Sequence, residues 1–133
     1  MKIWNLAPIL FLAAGFAVVA QEDTDFIAGM KTVGTASDNL KKMEQKTGQP
    51  AVRSAERIAV VYESMIGYWR QRNAGDAVKA SVEGKAAALE LSTAAYAKDN
   101  EKATAALTAL GATCRSCHEA HREKIAEGKY RIK

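Results

Sequence analysis

Apolar residues recur at three- and four-residue spacing along almost the whole chain, and that recurrence breaks at only three places. Thr47-Gly48-Gln49-Pro50 offers a glycine stop, followed by a proline suited to the first turn of a new helix. Asn73-Ala74-Gly75-Asp76 offers a second stop, with Asp76 as the capping residue. Lys98-Asp99-Asn100 offers a third, where Asp99 or Asn100 caps. The breaks leave four segments, 23–47, 50–72, 76–97 and 100–127. Each carries a stripe: Phe26, Met30, Val33, Ser37, Leu40; Ala55, Ala59, Tyr62, Ile66, Trp69; Val78, Val82, Ala86, Leu89, Thr93, Tyr96; and Ala103, Leu107, Leu110, Cys114, Cys117, His121. Such spacing keeps one face of a helix on a common seam. Strand alternation is nowhere sustained, and short connections make neighbouring helices antiparallel. The expected fold is therefore all-α, an antiparallel up-down-up-down four-helix bundle.

The N-terminus is of a different kind. Met1 to Ala20 has one cation, Lys2, an apolar run from Leu6 to Val19, and small residues before a cleavage point after Ala20. That pattern is a secretory signal, and the run is short of the ~20 residues that span a bilayer as a helix. Export of a bacterial protein of this kind leads to the periplasm. Removing residues 1–20 from the 133 leaves a domain of 113, residues 21–133, and lowers the net charge from +4 to +3 because only Lys2 is lost. One core fits in that length. A charge of +3 spread along the chain gives no footprint for nucleic acid. No nucleophile–base arrangement, paired carboxylate motif or phosphate loop points to an enzyme.

Chemistry enters with Cys114-Arg115-Ser116-Cys117-His118, the C-x-x-C-H pattern of covalent haem c attachment. Two thiols add across two vinyl groups to form thioethers, and the adjacent imidazole binds iron. On a helix the i, i+3 and i+4 positions project to one side, so Cys114, Cys117 and His118 fall together. Other uses of two cysteines fit less well. A redox disulfide belongs in a βαβ setting. A zinc site needs more ligands than His118 and His121 can add from one helix turn. A disulfide across a three-residue step constrains little unfolded-chain entropy. The chain has two cysteines in all, both in the motif. A thiol or metal protein without haem stands as the third reading.

The position of the motif is informative. Only 15 residues follow His118, none of them Met, so a methionine ligand has to come from upstream: Met30, Met43 or Met65. Together with Leu110-Gly111-Ala112-Thr113 before the motif, Arg122 four positions after the histidine, and Gly29-Met30-Lys31-Thr32-Val33-Gly34 in the first segment, it resembles the cytochrome c′ family of class II c-type cytochromes. The resemblance implies an exported four-helix bundle with one haem c on the last helix, redox partner proteins, and a homodimer through the first two helices. Phe26 stands one turn before Met30, where many members place an arginine.

The sixth position of the iron then decides function. A Met ligand gives a low-spin electron carrier; a vacant site gives a five-coordinate iron that binds NO or CO. In the bundle, Met30 is level with the motif, Met65 also fits in height, and Met43 is near the wrong end. The resemblance places the distal residue in the first helix, which makes Met30 the candidate ligand, with core packing as the competing use. Arg122 is expected near a propionate or the proximal imidazole. His121 is expected at the solvent edge or against a propionate, and Trp69, Tyr62 and Tyr96 in the core or haem wall. Arg115 and Ser116 are expected to be exposed.

Overall fold

The computed structural model describes residues 13–133, with side chains from Asp23 onward. Four helices follow one another: α1 (Ala13–Lys42), α2 (Gly48–Gln71), α3 (Gly75–Tyr96) and α4 (Asn100–His121). A two-stranded antiparallel hairpin, β1 (Arg122–Ala126) and β2 (Lys129–Ile132), closes the chain. Of the leader expected over residues 1–20, residues 1–12 lie outside the described residues, and the α1 backbone runs unbroken past Ala20. Among the described residues no helix is long and apolar enough to cross a membrane.

The helices form the four-helix bundle, with α2 packed on α1 and α3, and α3 on α4. Connections 43–47, 72–74 and 97–99 are short enough to force antiparallel neighbours. In the first connection, the Lys46 backbone N–H donates to Asn100 Oδ1 at 2.7 Å, tying the α1–α2 corner to the start of α4. The two tight turns are each made by a residue in the left-handed region, Asn73 (φ 54°) and Lys98 (φ 58°). Asp99 caps α4 as expected, accepting from the Lys102 N–H at 3.0 Å. Asp76 is not the cap of α3; Ala74 holds that position and Asp76 lies in the first turn.

Leu40, Ile58, Leu91 and Leu110, one from each helix, are fully buried at the centre. The expected stripes of α1, α2 and α4 face inward, although α1 ends at Lys42 rather than at 47. The stripe of α3 is a different one. Val82, Leu89 and Tyr96 are exposed, at 46, 47 and 75 %, and the buried face is Ala77, Ala80, Ser81, Gly84, Ala87, Ala88, Leu91, Ala94 and Ala95. Helix α3 is squeezed between α2 and α4, and small side chains let both backbones come close. A Cβ at Gly84 would lie 2.6 Å from the Tyr62 ring. Size, not hydropathy alone, chose the face.

The fourth segment also ends earlier than its apolar pattern suggests. By His121, α4 has reached the first turn of α3, where the His121 ring meets Asp76, and a longer helix would run past the bundle with nothing to pack against. Instead the chain turns at Gly128 (φ 66°), pairs Arg122 with Ile132 and Lys124 with Tyr130, and returns to the helix end. There the Lys133 N–H donates to the His121 carbonyl at 3.0 Å. The absence of strands expected from the sequence is thus corrected.

Candidate functional site

Helices α1 and α4 are the pair the bundle leaves apart, and the space between them is a cavity of about 700 Å³. Its walls are mainly apolar, with Phe26, Met30 and Val33 from α1, Tyr62, Met65 and Trp69 from α2, and Ile125, Tyr130 and Ile132 from the hairpin. Cys114, Cys117 and His118 line it together from α4. Both cysteines are free thiols, and no disulfide joins them.

The three motif residues sit in unlike surroundings. The Cys114 sulfur is 3.4 Å from the hydroxyl of Tyr62. Burial, and then the neighbouring Cys114, holds that phenol neutral well above its ordinary range. Burial raises the Cys117 thiol too, with Asp76 and Cys114 adding to the effect. For His118 the direction is reversed: half-burial, then the Arg122 guanidinium, lowers its pKa and favours the neutral imidazole that a metal requires. Arg122 Nη1 is 3.3 Å from His118 Nδ1. A guanidinium has only donors, so Nδ1 accepts and the ring proton is on Nε2. The Arg122 guanidinium lies 3.5 Å over the Tyr130 ring, which fixes it from the hairpin side.

The aromatic end of the cavity sets heights along the bundle. Trp69 is buried and touches Phe26 of α1 edge-on, with centroids 5.3 Å apart, and His121 of α4 at 4.7 Å. Because α1 and α4 run in opposite directions, one turn forward from Phe26 and one turn back from His121 reach the same level. The forward step is Met30; the backward step is Cys117 and His118. Tyr68 continues the cluster, stacked on Phe26 at 4.1 Å and donating to Asp23 Oδ1 at 2.7 Å, which also takes Arg72 at 2.6 Å. These bonds tie the middle of α1 to the end of α2.

His121 is half-buried at the edge of the bundle and is held there: its Nε2 meets Asp76 Oδ2 at 2.8 Å, and its Nδ1 lies 3.3 Å from the Lys133 carbonyl, so it clamps α4 to α3 and to the hairpin. Two residues lie elsewhere than expected. Tyr96, expected in the core or wall, is on the surface. Arg122 is the first residue of β1 rather than part of α4. Tyr62 and Trp69 do line the cavity, as does Met65, while Met43 lines a groove elsewhere. Arg115 and Ser116 are exposed. The hairpin wall had one signal in the sequence: after Gly128, Tyr130 and Ile132 alternate with Lys129, Arg131 and Lys133 as strand residues do.

The residues fit a haem. A cavity of this volume is in the range that encloses a cofactor-sized ligand, about 300–1,000 Å³. Two thiols and a neutral imidazole come from one helix turn onto one wall. The hydroxyl of Ser37, also on the lining, is buried with no hydrogen-bond partner, which leaves a polar atom for an occupant to satisfy.

Comparison with known proteins agrees with this chemistry. A family model described as cytochrome c′ matches residues 67–122, from late α2 to the start of β1. A cytochrome c′ of Pararhodospirillum photometricum is 39% identical over 88 residues, which cover 55% of this chain and 70% of that protein. No solved structure matches significantly.

Proposed function

Since the chain belongs to the cytochrome c′ family and is a haem c cytochrome, we propose that it is an exported single-electron carrier, cleaved after Ala20 and active in the periplasm as domain 21–133. Cys114 and Cys117 are the thioether positions, His118 the proximal ligand and Met30 the distal one. The observation that carries the reading is the shared Trp69 contact, which brings Met30 to the level of His118 on another wall of the same cavity.

The bound haem supplies a one-electron iron couple. The protein's part is attachment, ligation and exclusion of water. Cys114 and Cys117 would hold the haem through two thioethers, the S–H of each adding across one vinyl group. His118 would bind through an unprotonated Nε2 with the single proton of the neutral ring on Nδ1, so the Arg122 contact at Nδ1 belongs to the ring before ligation. Arg122 beside Nδ1 disfavours a cationic ring and so keeps the imidazole available. Met30, a soft thioether on a helix anchored through Phe26, would complete the ligand set and raise the potential relative to a vacant site. Apolar walls favour the iron state of lower charge. Redox proteins are the partners this reading requires, and substrate turnover is no part of it.

Absorption spectra of the purified protein, oxidised and reduced, test the assignment. The wild type is expected to be low-spin, and Met30→Ala to become high-spin with its thioether-bound haem retained. A high-spin wild type that binds NO or CO would overturn it in favour of a gas-binding cytochrome c′.

A further inference from the structure

Two shallow depressions of about 420 and 250 Å³ share Asn39, Ser54 and Arg57 and so form one groove along the outer side of α1 and α2. Four cations line it: Lys31 and Lys42 from α1, Arg53 and Arg57 from α2. No carboxylate does. Elsewhere the cations divide: Lys41, Arg72, Lys79, Lys85, Lys102, Lys124 and Arg131 each meet an acidic partner, while others, Lys98, Arg115 and Lys129 among them, show no ion pair among the described residues. No ion pair involves any of the four groove cations among the described residues. Their strip is about 16 Å long, from the eleven-residue rise between Lys31 and Lys42. Like charges held together without counter-charges destabilise a fold slightly and focus an attractive field on anions.

We propose that this groove docks an acidic redox partner protein. The proposal rests on the electron-carrier reading and adds the partner's chemistry. Three observations choose the occupant. Lys31 lines both the groove and the cavity between α1 and α4, so a partner that reaches the Lys31 end of the groove lies beside the site of the couple. A second copy of this chain would bring its own four cations against these, so the homodimer that the resemblance implies through the first two helices has to use another part of their surface. The surface is concave, with Asn39, Ser54, Thr32 and Thr35 among the charges, which suits a protruding carboxylate-bearing segment better than the plane of a bilayer. Charge complementarity of this kind acts mainly on the rate of encounter.

Stopped-flow reduction of the oxidised holoprotein tests the inference, with two donors of opposite charge. One is a reduced plant-type ferredoxin, an acidic protein that passes one electron from its [2Fe–2S] cluster to the iron. The other is hexaammineruthenium(II), a small cation that passes one electron likewise. With ferredoxin, the wild-type rate constant is expected to fall about tenfold between low salt and about 0.3 M salt, as screening shortens the field. At low salt it should fall by a similar factor of about ten in Arg53→Glu/Arg57→Glu. With hexaammineruthenium(II) the double variant should be reduced as fast as the wild type or faster. Both side chains are exposed, and an unchanged haem spectrum and circular dichroism certify the variant's fold.

Ferredoxin rates that ignore the double substitution, while hexaammineruthenium(II) still reduces both proteins, would overturn the groove and leave the electron carrier standing. Sedimentation with phosphatidylglycerol vesicles that is lost in a variant of unchanged ferredoxin rate would assign the groove to a membrane and overturn it too. Failure of both donors to reduce the wild type would instead count against the carrier reading itself.

Discussion

Gly84→Ala is the sharpest perturbation of the packing described here. Alanine normally gains about 1 kcal/mol over glycine in a helix interior. At Gly84 the new Cβ would lie 2.6 and 2.7 Å from Tyr62 Cε1 and Cζ, and 3.1 Å from Thr113 Oγ1. The ring is buried and stands between α3 and Cys114, so it can yield only toward the cavity. Overpacking of this kind costs about 1–3 kcal/mol, which cancels or exceeds the helical gain. Gly67 is the control: it is exposed, lies inside α2, and nothing comes within 4 Å of the Cβ it would acquire. Gly67→Ala is expected to gain the full ~1 kcal/mol. The two variants therefore differ by about 1–3 kcal/mol, or roughly 4–18 °C in Tm for a domain of this size. Thermal melts followed at 222 nm read the difference directly. In a Tyr62→Leu background, Gly84→Ala should change sign and stabilise. If Gly84→Ala raises Tm as much as Gly67→Ala with Tyr62 in place, the close approach of α3 to α2 is not as described.

Two further predictions concern the turns. Lys98 pays a left-handed backbone penalty that glycine avoids, so Lys98→Gly should raise stability by about 0.5–1 kcal/mol in denaturant titration. The Asp99 carboxylate caps α4, and the Lys102 N–H, its largest influence, holds its carboxyl below the ordinary range. A lowered folded-state pKa contributes stability that is present above the unfolded-state value and is lost as pH falls through the folded one. Asp99→Ala should therefore lower Tm at neutral pH, and its gap to the wild type should close as melts are taken to acid pH.

Much of this was legible in the residues, for identifiable reasons. Cys114, Cys117 and His118 carry a local rule, since one helix turn sets their spacing and the chemistry sets their types. The stripes of α1, α2 and α4 contain large side chains, and large apolar side chains advertise a core. The stripe of α3 failed on the same logic: Val82, Leu89 and Tyr96 outweigh alanines in any hydropathy count, while α2 and α4 left room only for the alanines and Gly84. The hairpin was masked because Arg122, Glu123, Lys124, Lys129 and Arg131 dilute the alternation of Tyr130 and Ile132. Two other features exist only after folding. The bond from His121 to Asp76 joins residues 45 apart, and the cationic groove appears when Lys31 and Lys42 of one helix meet Arg53 and Arg57 of the next.

Whether Met30 fills the sixth position of the iron separates an electron carrier from a gas-binding protein. Carbon monoxide added to the reduced wild-type protein asks this without any substitution. A methionine-ligated iron is expected to give no adduct on mixing, with an absorption spectrum unchanged from that of the reduced protein. Prompt formation of a carbonyl adduct would show a vacant site and contradict the assignment of Met30, and with it the electron-carrier reading.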